Sequence, residues 1–189
     1  MQSQRQRHDP SKNLVGFVVG DVEYAVAIGA VREIANPLPV VALPRAPEAI
    51  CGVADYRGEV VPVVDLRVRF GLAPSTLTRR TKWIVIDVGD RFAALVVDAV
   101  TEVFGSGGAE HQPAPSLGGG DDLRGITSVT KHGKTLVFVL DHTRFRELTA
   151  TLAREGALGS GAVARASLMP GADPAALAAS RPKPGIGVP

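Results

Sequence analysis

The sequence has little of what enzymes and cross-linked proteins usually need. Its 189 residues include a single cysteine, Cys51, which excludes an internal disulfide. Cys51 lies within an apolar run, so we expect a small buried hydrophobic residue rather than a reactive thiol. The four histidines are scattered without metal-ligand spacing, and there is neither a nucleophilic serine elbow nor a phosphate-binding loop. These absences predict a protein that is not an enzyme and that binds no metal and no cofactor.

Charge and hydropathy argue against two further classes of protein. The formal net charge is only +2, and no basic cluster is interleaved with aromatic residues, so a nucleic-acid binder is not expected. No apolar segment approaches the roughly 20 residues that cross a bilayer. The polar N-terminal segment has no apolar core and is not typical of a signal peptide. We therefore expect a soluble, cytoplasmic protein that does not insert into membranes.

What the chain does contain is short apolar runs separated by turns. Residues 50–65 hold two such runs, rich in Val and Ile, which predict two strands joined at Arg57 and Gly58. Gly58 tolerates a positive φ, as a tight turn requires. Arg57 then lies at a strand end, either as a solvated turn residue or directed at a partner. Asp65 ends the second run and is expected to cap residues 66–71.

The two halves of the chain resemble each other. Each contains a Val-x-Glu motif, then a glycine followed by an apolar residue, then an apolar run that ends in aspartate. These are residues 31–33, 52–53 and 60–65 in the first half, and residues 100–102, 125–126 and 136–141 in the second. The repeat assigns the terminal aspartates, Asp65 and Asp141, to capping rather than to a catalytic pair. Each half has about five short strands, and so small a unit should close into a barrel. The seam between two barrels would be a natural binding place.

Composition divides the chain into three segments. Residues 1–13 are polar and predicted to be disordered. Residues 14–155 are predicted to form the folded domain, with the boundary between its two barrels near residues 73–82. Residues 156–189 are rich in Ala, Gly and Pro and are predicted to be disordered. Within the domain, we expect one helical turn at residues 31–34, a long surface loop at residues 105–120 and a C-terminal helix at residues 142–154.

Several motifs, in one order over about residues 14–150, resemble those of the CheW-like domain family. In the first half they are Gly20-Asp21-Val22-Glu23-Tyr24-Ala25-Val26, Val31-Arg32-Glu33-Ile34, Leu43-Pro44, Ile50-Cys51-Gly52-Val53, Arg57-Gly58, Val61-Pro62-Val63-Val64-Asp65-Leu66-Arg67 and Phe70-Gly71. In the second half they include Val96-Val97-Asp98, Pro113-Ala114-Pro115 and Gly125-Ile126. The resemblance implies an all-β fold of two five-stranded SH3-like barrels with short helices, in agreement with the repeat.

The resemblance also implies a function and its partners. It implies a non-catalytic adaptor that couples methyl-accepting chemoreceptors to a CheA-type histidine kinase. The implied partners are the regulatory domain of that kinase and the receptor tip, and the implied location is the cytoplasm, at membrane-associated receptor arrays. The alternatives are an interaction module of a divergent motility or developmental kinase pathway, and an array scaffold that lacks receptor contact.

The same resemblance suggests three receptor-binding residues. Val31, Gly52 and Arg57 match positions that the family ties to receptor coupling. From the residues alone, Val31 could simply be a core residue and Gly52 simply a turn residue. The family commonly has Asn-Leu before the Arg-Gly pair, and this chain has Asp55 and Tyr56 instead. We expect that change to affect which receptor is accepted.

Overall fold

A computed structural model of the chain describes residues 12–74, 76–105, 112–113 and 125–154. Its strands are β1 (Asn13–Val19), β2 (Val22–Ala27), β3 (Val31–Ala35), β4 (Ile50–Tyr56), β5 (Glu59–Asp65), β6 (Lys82–Asp87), β7 (Phe92–Val97), β8 (Ala99–Gly105), β9 (Gln112–Pro113), β10 (Ile126–His132) and β11 (Thr135–Leu140). Its α-helices are α1 (Leu66–Arg69) and α2 (Phe145–Arg154), and single 3-10 turns span Ile28–Ala30 and His142–Arg144. The predicted β fold with short helices and a C-terminal helix is confirmed.

The strands form two sheets. The first sheet has the order β8-β1-β2-β11-β10-β9, and the second has the order β3-β6-β7-β5-β4. Each sheet therefore contains strands from both sides of residues 73–82, where we expected the boundary between barrels. The hairpin β1–β2 lies beside β11, and the hairpin β6–β7 lies beside β5, in both cases through a parallel pair. The internal repeat thus folds by reciprocal exchange, since each half of the chain gives its first hairpin to the sheet of the other half.

The buried apolar side chains of the described residues form three clusters. The central core draws on both sheets, and it includes Phe17, Ile84 and Phe145. The second-sheet core contains only residues of the second sheet, and the first-sheet core only residues of the first. Strand β6 shows the alternation, because Trp83 belongs to the second-sheet core and Ile84 to the central core. Burial on both faces explains the continuous apolar runs of the sequence.

The predicted helical turn at residues 31–34 is wrong. These residues form β3, which pairs antiparallel with β6, and a 3-10 turn lies just before it at Ile28–Ala30. The spacing of Val31 and Ile34 fits a helical turn, but the exposed edge of β6 supplies hydrogen-bond partners that an isolated turn lacks. Pairing between distant segments decided the structure here.

Other boundaries differ more modestly from the prediction. Asn13, expected in the disordered N-terminal segment, begins β1. Gln112 and Pro113, expected in the long loop, form β9 beside β10. The rest of residues 106–124 lies outside the described residues, and so do residues 1–11 and 155–189. Within the described ranges, no helix is both long and apolar enough to cross a membrane, and no three metal-binding side chains lie close enough to share an ion.

The two terminal aspartates of the repeat cap the helical segments that follow them, as predicted. Asp65 Oδ1 accepts hydrogen bonds from the backbone N–H groups of Arg67, at 2.8 Å, and of Val68, at 3.3 Å. Asp141 Oδ1 accepts from the backbone N–H of Thr143 at 2.9 Å and from its hydroxyl at 2.7 Å. Both aspartates therefore satisfy donors that the first helical turn leaves free.

Replacing either capping aspartate with alanine should lower the stability of the fold. We expect Asp65→Ala and Asp141→Ala each to reduce the free energy of unfolding by about 1 kcal/mol, since the loss of a cap typically costs about 0.5–2 kcal/mol. Urea denaturation measures the change. Asp65→Asn is the matched control, because asparagine keeps the acceptor oxygen, and it should retain most of the stability. An asparagine variant as unstable as the alanine variant would contradict the capping role.

Candidate functional site

The candidate site lies where the two edge strands of the second sheet meet. β3 and β4 stand at opposite ends of that sheet, yet Glu33 of β3 contacts the end of β4. Glu33 Oε2 lies 2.6 Å from Arg57 Nη2, and the same oxygen accepts a hydrogen bond from the Tyr56 hydroxyl. The sheet is therefore curled until its edges touch, and side chains rather than backbone hydrogen bonds join them at this end. We call Glu33, Tyr56 and Arg57 the edge clasp.

Arg57 sits in a left-handed turn at the end of β4. Its φ is 55° and that of Gly58 is 85°, the two positive values that suit a two-residue hairpin loop. Asp55 Oδ1 accepts a hydrogen bond of 2.8 Å from the Gly58 backbone N–H, so the Asp55 side chain stabilises the turn. The side chain of Arg57 is 70% exposed. The turn thus presents a cation to solvent at the position that the sequence predicted.

Two groups of the protein contact the exposed guanidinium of Arg57. The Glu33 carboxylate pairs with it, and the Arg57 Cζ lies 5.5 Å from the centre of the Tyr56 ring. This distance is within the range of a cation–π contact. A guanidinium supported in this way keeps further N–H donors free for a carboxylate or carbonyl of a partner, because it carries five in a planar fork.

Tyr56 connects the exposed arginine to the interior. The residue is only 6% exposed and belongs to the second-sheet core with Trp83. The pKa of Tyr56 is raised above its ordinary value, first because the hydrogen bond to Glu33 favours the protonated phenol and then because burial disfavours the phenolate. The phenol therefore stays protonated at neutral pH and donates to Glu33.

Gly52 lies where another segment crosses β4. The backbone of Val41 forms an isolated bridge with Val53, with hydrogen bonds of 2.8 and 2.9 Å. A Cβ added to Gly52 would come within 2.1 Å of the Val41 carbonyl oxygen, and the φ of Gly52 is 144°. Glycine is needed here for a close backbone approach and for a backbone angle that other residues rarely adopt.

The predicted burial of Cys51 is wrong. The register between β4 and β5 shifts between Ile50 and Gly52, so Cys51 is the extra residue of a bulge and is exposed. Its sulfur is nevertheless partly desolvated, and this burial, followed by the negative charge of Asp65, raises the pKa of the thiol to about 11. The thiol stays protonated at neutral pH, which argues against a reactive cysteine.

An apolar surface accompanies Gly52. Large hydrophobic side chains are exposed at four positions from the end of β3 to the bridge residue Val41: Ile34, Leu38, Val40 and Val41. We call these four the apolar edge segment. Val31, by contrast, is partly buried and packs against the central core. The structure therefore places Val31 in a supporting position, Gly52 beneath the apolar edge segment, and Arg57 in the turn that ends the same strand.

Sequence reasoning missed Glu33 and the burial of Tyr56, although the repeat carried a signal for the first. Glu102 occupies the equivalent position of the second Val-x-Glu motif, and its Oε1 lies 3.1 Å from His132 Nε2. His132 ends β10 as Tyr56 ends β4. The repeated glutamate thus links an edge strand to the last residue of a hairpin strand in both sheets. The presence of glutamate at the same position of both Val-x-Glu motifs was therefore the sequence signal that Glu33 makes a structural contact.

Comparison with known proteins agrees with the fold. A sequence profile described as the CheW-like domain matches residues 13–148. The chain is 36% identical over 125 residues to the probable chemotaxis protein CheW of Rhizobium etli, which is 64% of this chain and 79% of that protein. It is 34% identical over 110 residues to protein FrzA of Myxococcus xanthus, which is 58% of this chain and 68% of that protein. A solved structure, the scaffolding protein TtCheW of Thermoanaerobacter tengcongensis, matches with a TM-score of 0.64 and 25% identity, covering 74% of this chain and 90% of that one.

Proposed function

The chain belongs to the CheW-like domain family, whose profile covers residues 13–148, and we propose that it couples methyl-accepting chemoreceptors to a CheA-type histidine kinase. The role is that of an adaptor in chemotaxis signalling, without catalysis of its own. The adaptor acts in the cytoplasm and is recruited to membrane-associated receptor arrays. Its partners in this proposal are the receptor tip and the regulatory domain of the kinase.

The observation that carries the receptor contact is the exposed guanidinium of Arg57, which pairs with Glu33, the residue next to Ile34 of the apolar edge segment. The apolar edge segment offers a surface for the apolar face of a receptor helix, in the manner of other helix-binding grooves. Arg57 lies at the end of β4, where it can donate to a carboxylate or carbonyl of that helix. Gly52 supports this surface through the Val41 crossing, and Val31 anchors the strand that carries Ile34 by packing against the central core.

Replacing Arg57 with alanine should weaken binding to the receptor tip selectively. An exposed ion pair is worth about 0–1 kcal/mol, but loss of one partner of a pair that becomes buried in a complex costs roughly 2–5 kcal/mol. We expect Arg57→Ala to cost about 2 kcal/mol in receptor binding, or roughly thirtyfold in affinity, and to leave the affinity for the kinase regulatory domain unchanged. Titration calorimetry with each partner separately measures both.

Arg45→Ala is the matched control for this experiment. Arg45 is also exposed and is the other described non-glycine residue with a positive φ, at 60°. It precedes β4, whereas Arg57 follows it, so the seven residues of that strand lie between the two along the chain. The control should bind both partners as the parent does. Receptor binding by Arg57→Ala equal to that of the parent would refute the proposed site.

The divergent-pathway alternative is favoured by the similarity to FrzA, a relative with a name other than CheW. This alternative predicts binding to a kinase regulatory domain without binding to a chemoreceptor tip, and so does an array scaffold that lacks receptor contact. The same two titrations of the parent protein therefore separate the proposed adaptor from both alternatives.

A further inference from the structure

One oxygen atom organises the edge clasp. Glu33 Oε2 accepts from both the Tyr56 hydroxyl and Arg57 Nη2, while the Arg57 guanidinium also lies over the Tyr56 ring. Tyr56 therefore contacts both members of the ion pair, one through its hydroxyl and the other through its ring face. A change at Tyr56 reaches the arginine by two routes.

The three residues differ sharply in exposure. Tyr56 is 6% exposed, the Glu33 side chain 34% and the Arg57 side chain 70%. Tyr56 is thus anchored in the second-sheet core and contacts both the partly exposed Glu33 and the exposed Arg57. A solvent-exposed Arg–Glu pair by itself holds its side chains weakly, because the entropy of two long side chains offsets most of the attraction. A buried phenol that fixes the carboxylate removes part of that freedom before any partner arrives.

We propose that Tyr56 is a positioning residue that holds Glu33 and Arg57 in the arrangement in which Arg57 meets its partner. This inference rests on the proposed function, since the partner is the receptor tip. Preorganised side chains bind more tightly because less conformational entropy is lost in the complex. A leucine at this position, which the family resemblance leads one to expect, has neither the hydroxyl donor nor the aromatic face. This positioning role is therefore specific to chains that have tyrosine immediately before the Arg-Gly turn.

The test replaces Tyr56 with phenylalanine, which keeps the ring and removes only the hydroxyl. We expect Tyr56→Phe to reduce affinity for the receptor tip about three- to tenfold, which is the effect of losing roughly one ordinary hydrogen bond. Affinity for the kinase regulatory domain should stay within twofold of the parent. Tyr24→Phe is the control, because the chain has two tyrosines and Tyr24 lies in the central core. This control should bind both partners as the parent does.

A cycle with Glu33→Ala tests whether the effect passes through Glu33, because alanine leaves no side-chain acceptor for the Tyr56 hydroxyl. If Tyr56 acts by fixing Glu33, the loss caused by Tyr56→Phe should largely vanish in the Glu33→Ala background. An unchanged loss in that background would overturn the proposed route, because the hydroxyl would then act on the partner without the glutamate. Receptor binding by Tyr56→Phe equal to that of the parent, or an equal loss for both partners, would overturn the positioning role.

A second readout needs no partner, so failure of the proposed function can be told apart from failure of this inference. Labelling the tyrosines with ¹³C at Cζ gives two signals, which Tyr24→Phe assigns. The Tyr56 signal should titrate with a pKa above the ordinary value, and Glu33→Ala should bring that pKa down because it removes the hydrogen-bond acceptor. The Arg57 side-chain Nε–H signal should broaden or exchange faster in Tyr56→Phe. A parent that binds no receptor tip but shows these signals would refute the function and keep the positioning role. An Arg57 signal that is unchanged in Tyr56→Phe, together with a Tyr56 pKa that is unchanged in the Glu33 variant, would refute the positioning role itself.

Discussion

Separate fragments of residues 1–75 and 76–189 are expected to be unfolded when alone and to fold when mixed. Each fragment contains strands of both sheets but lacks their neighbours, since β1–β2 pairs with β8 and β11, and β3–β5 flanks β6–β7. The second-sheet core would be divided too, with Tyr56 in one fragment and Trp83 in the other. Neither fragment can bury enough apolar surface to offset the entropy of ordering. Far-UV circular dichroism and the fluorescence of Trp83, the single tryptophan, measure folding before and after mixing.

The control for the fragments is to cut the same connector after folding. A protease site placed between residues 74 and 77 should be cleaved without loss of the native spectrum, because the described residues there are exposed and belong to no strand. Dilution in denaturant should then separate the pieces, and removal of the denaturant should restore the spectrum. Two fragments that each gave a native-like spectrum alone would instead support one independent barrel in each half of the chain.

Gly52→Ala is expected to cause the largest loss of stability among single substitutions near the candidate site. Its Cβ would lie 2.1 Å from the Val41 carbonyl oxygen, so the crossing segment must move and its two hydrogen bonds with Val53 must break. Each such bond contributes about 0.5–1.5 kcal/mol, and the strained φ adds roughly 1–3 kcal/mol. We expect a loss of about 3 kcal/mol in the free energy of unfolding, measured by urea denaturation.

Gly89→Ala separates the close approach from the backbone strain. Gly89 also has a positive φ, 110°, but the nearest atom to an added Cβ is 3.8 Å away. This control should therefore lose only the strain contribution, about 1 kcal/mol or slightly more. Equal losses for the two variants would show that the Val41 crossing is not what requires glycine. Because the crossing segment carries Val40 and Val41 of the apolar edge segment, Gly52→Ala should also weaken receptor binding beyond its effect on kinase-domain binding.

The comparison of sequence with structure separates local features from distant ones. The hairpin around Arg57 and Gly58 and the capping by Asp65 depend on residues next to each other, and the sequence predicted them. β3 was predicted as a helical turn, because the pairing that makes Val31 part of a strand comes from β6, about fifty residues later. Cys51 was predicted to be buried, because the bulge that exposes it belongs to the pairing of β4 with β5 and leaves no local pattern in the sequence.

The candidate site shows the same division. Arg57 was identified from its turn and from family resemblance, whereas its partners could not be, because Glu33 lies at the opposite edge of the sheet. The repeated Val-x-Glu motif marked this glutamate as shared by both halves, but a motif does not say what it contacts. The departure at Tyr56 was noticed as a difference from the family, and only its position between the second-sheet core and Glu33 gave it a role.

The sequence by itself determined the strand content, the repeat, the capped helices and the family, because apolar alternation, turn residues and ordered motifs are written along the chain. The tertiary structure decided which half completes which sheet, why position 52 must be glycine and what holds the Arg57 guanidinium. These depend on the free energy of pairing segments that are far apart in sequence. The edge strands β3 and β8 each pair with a strand from the other half of the repeat, because that pairing supplies the backbone hydrogen bonds that an unpaired edge lacks.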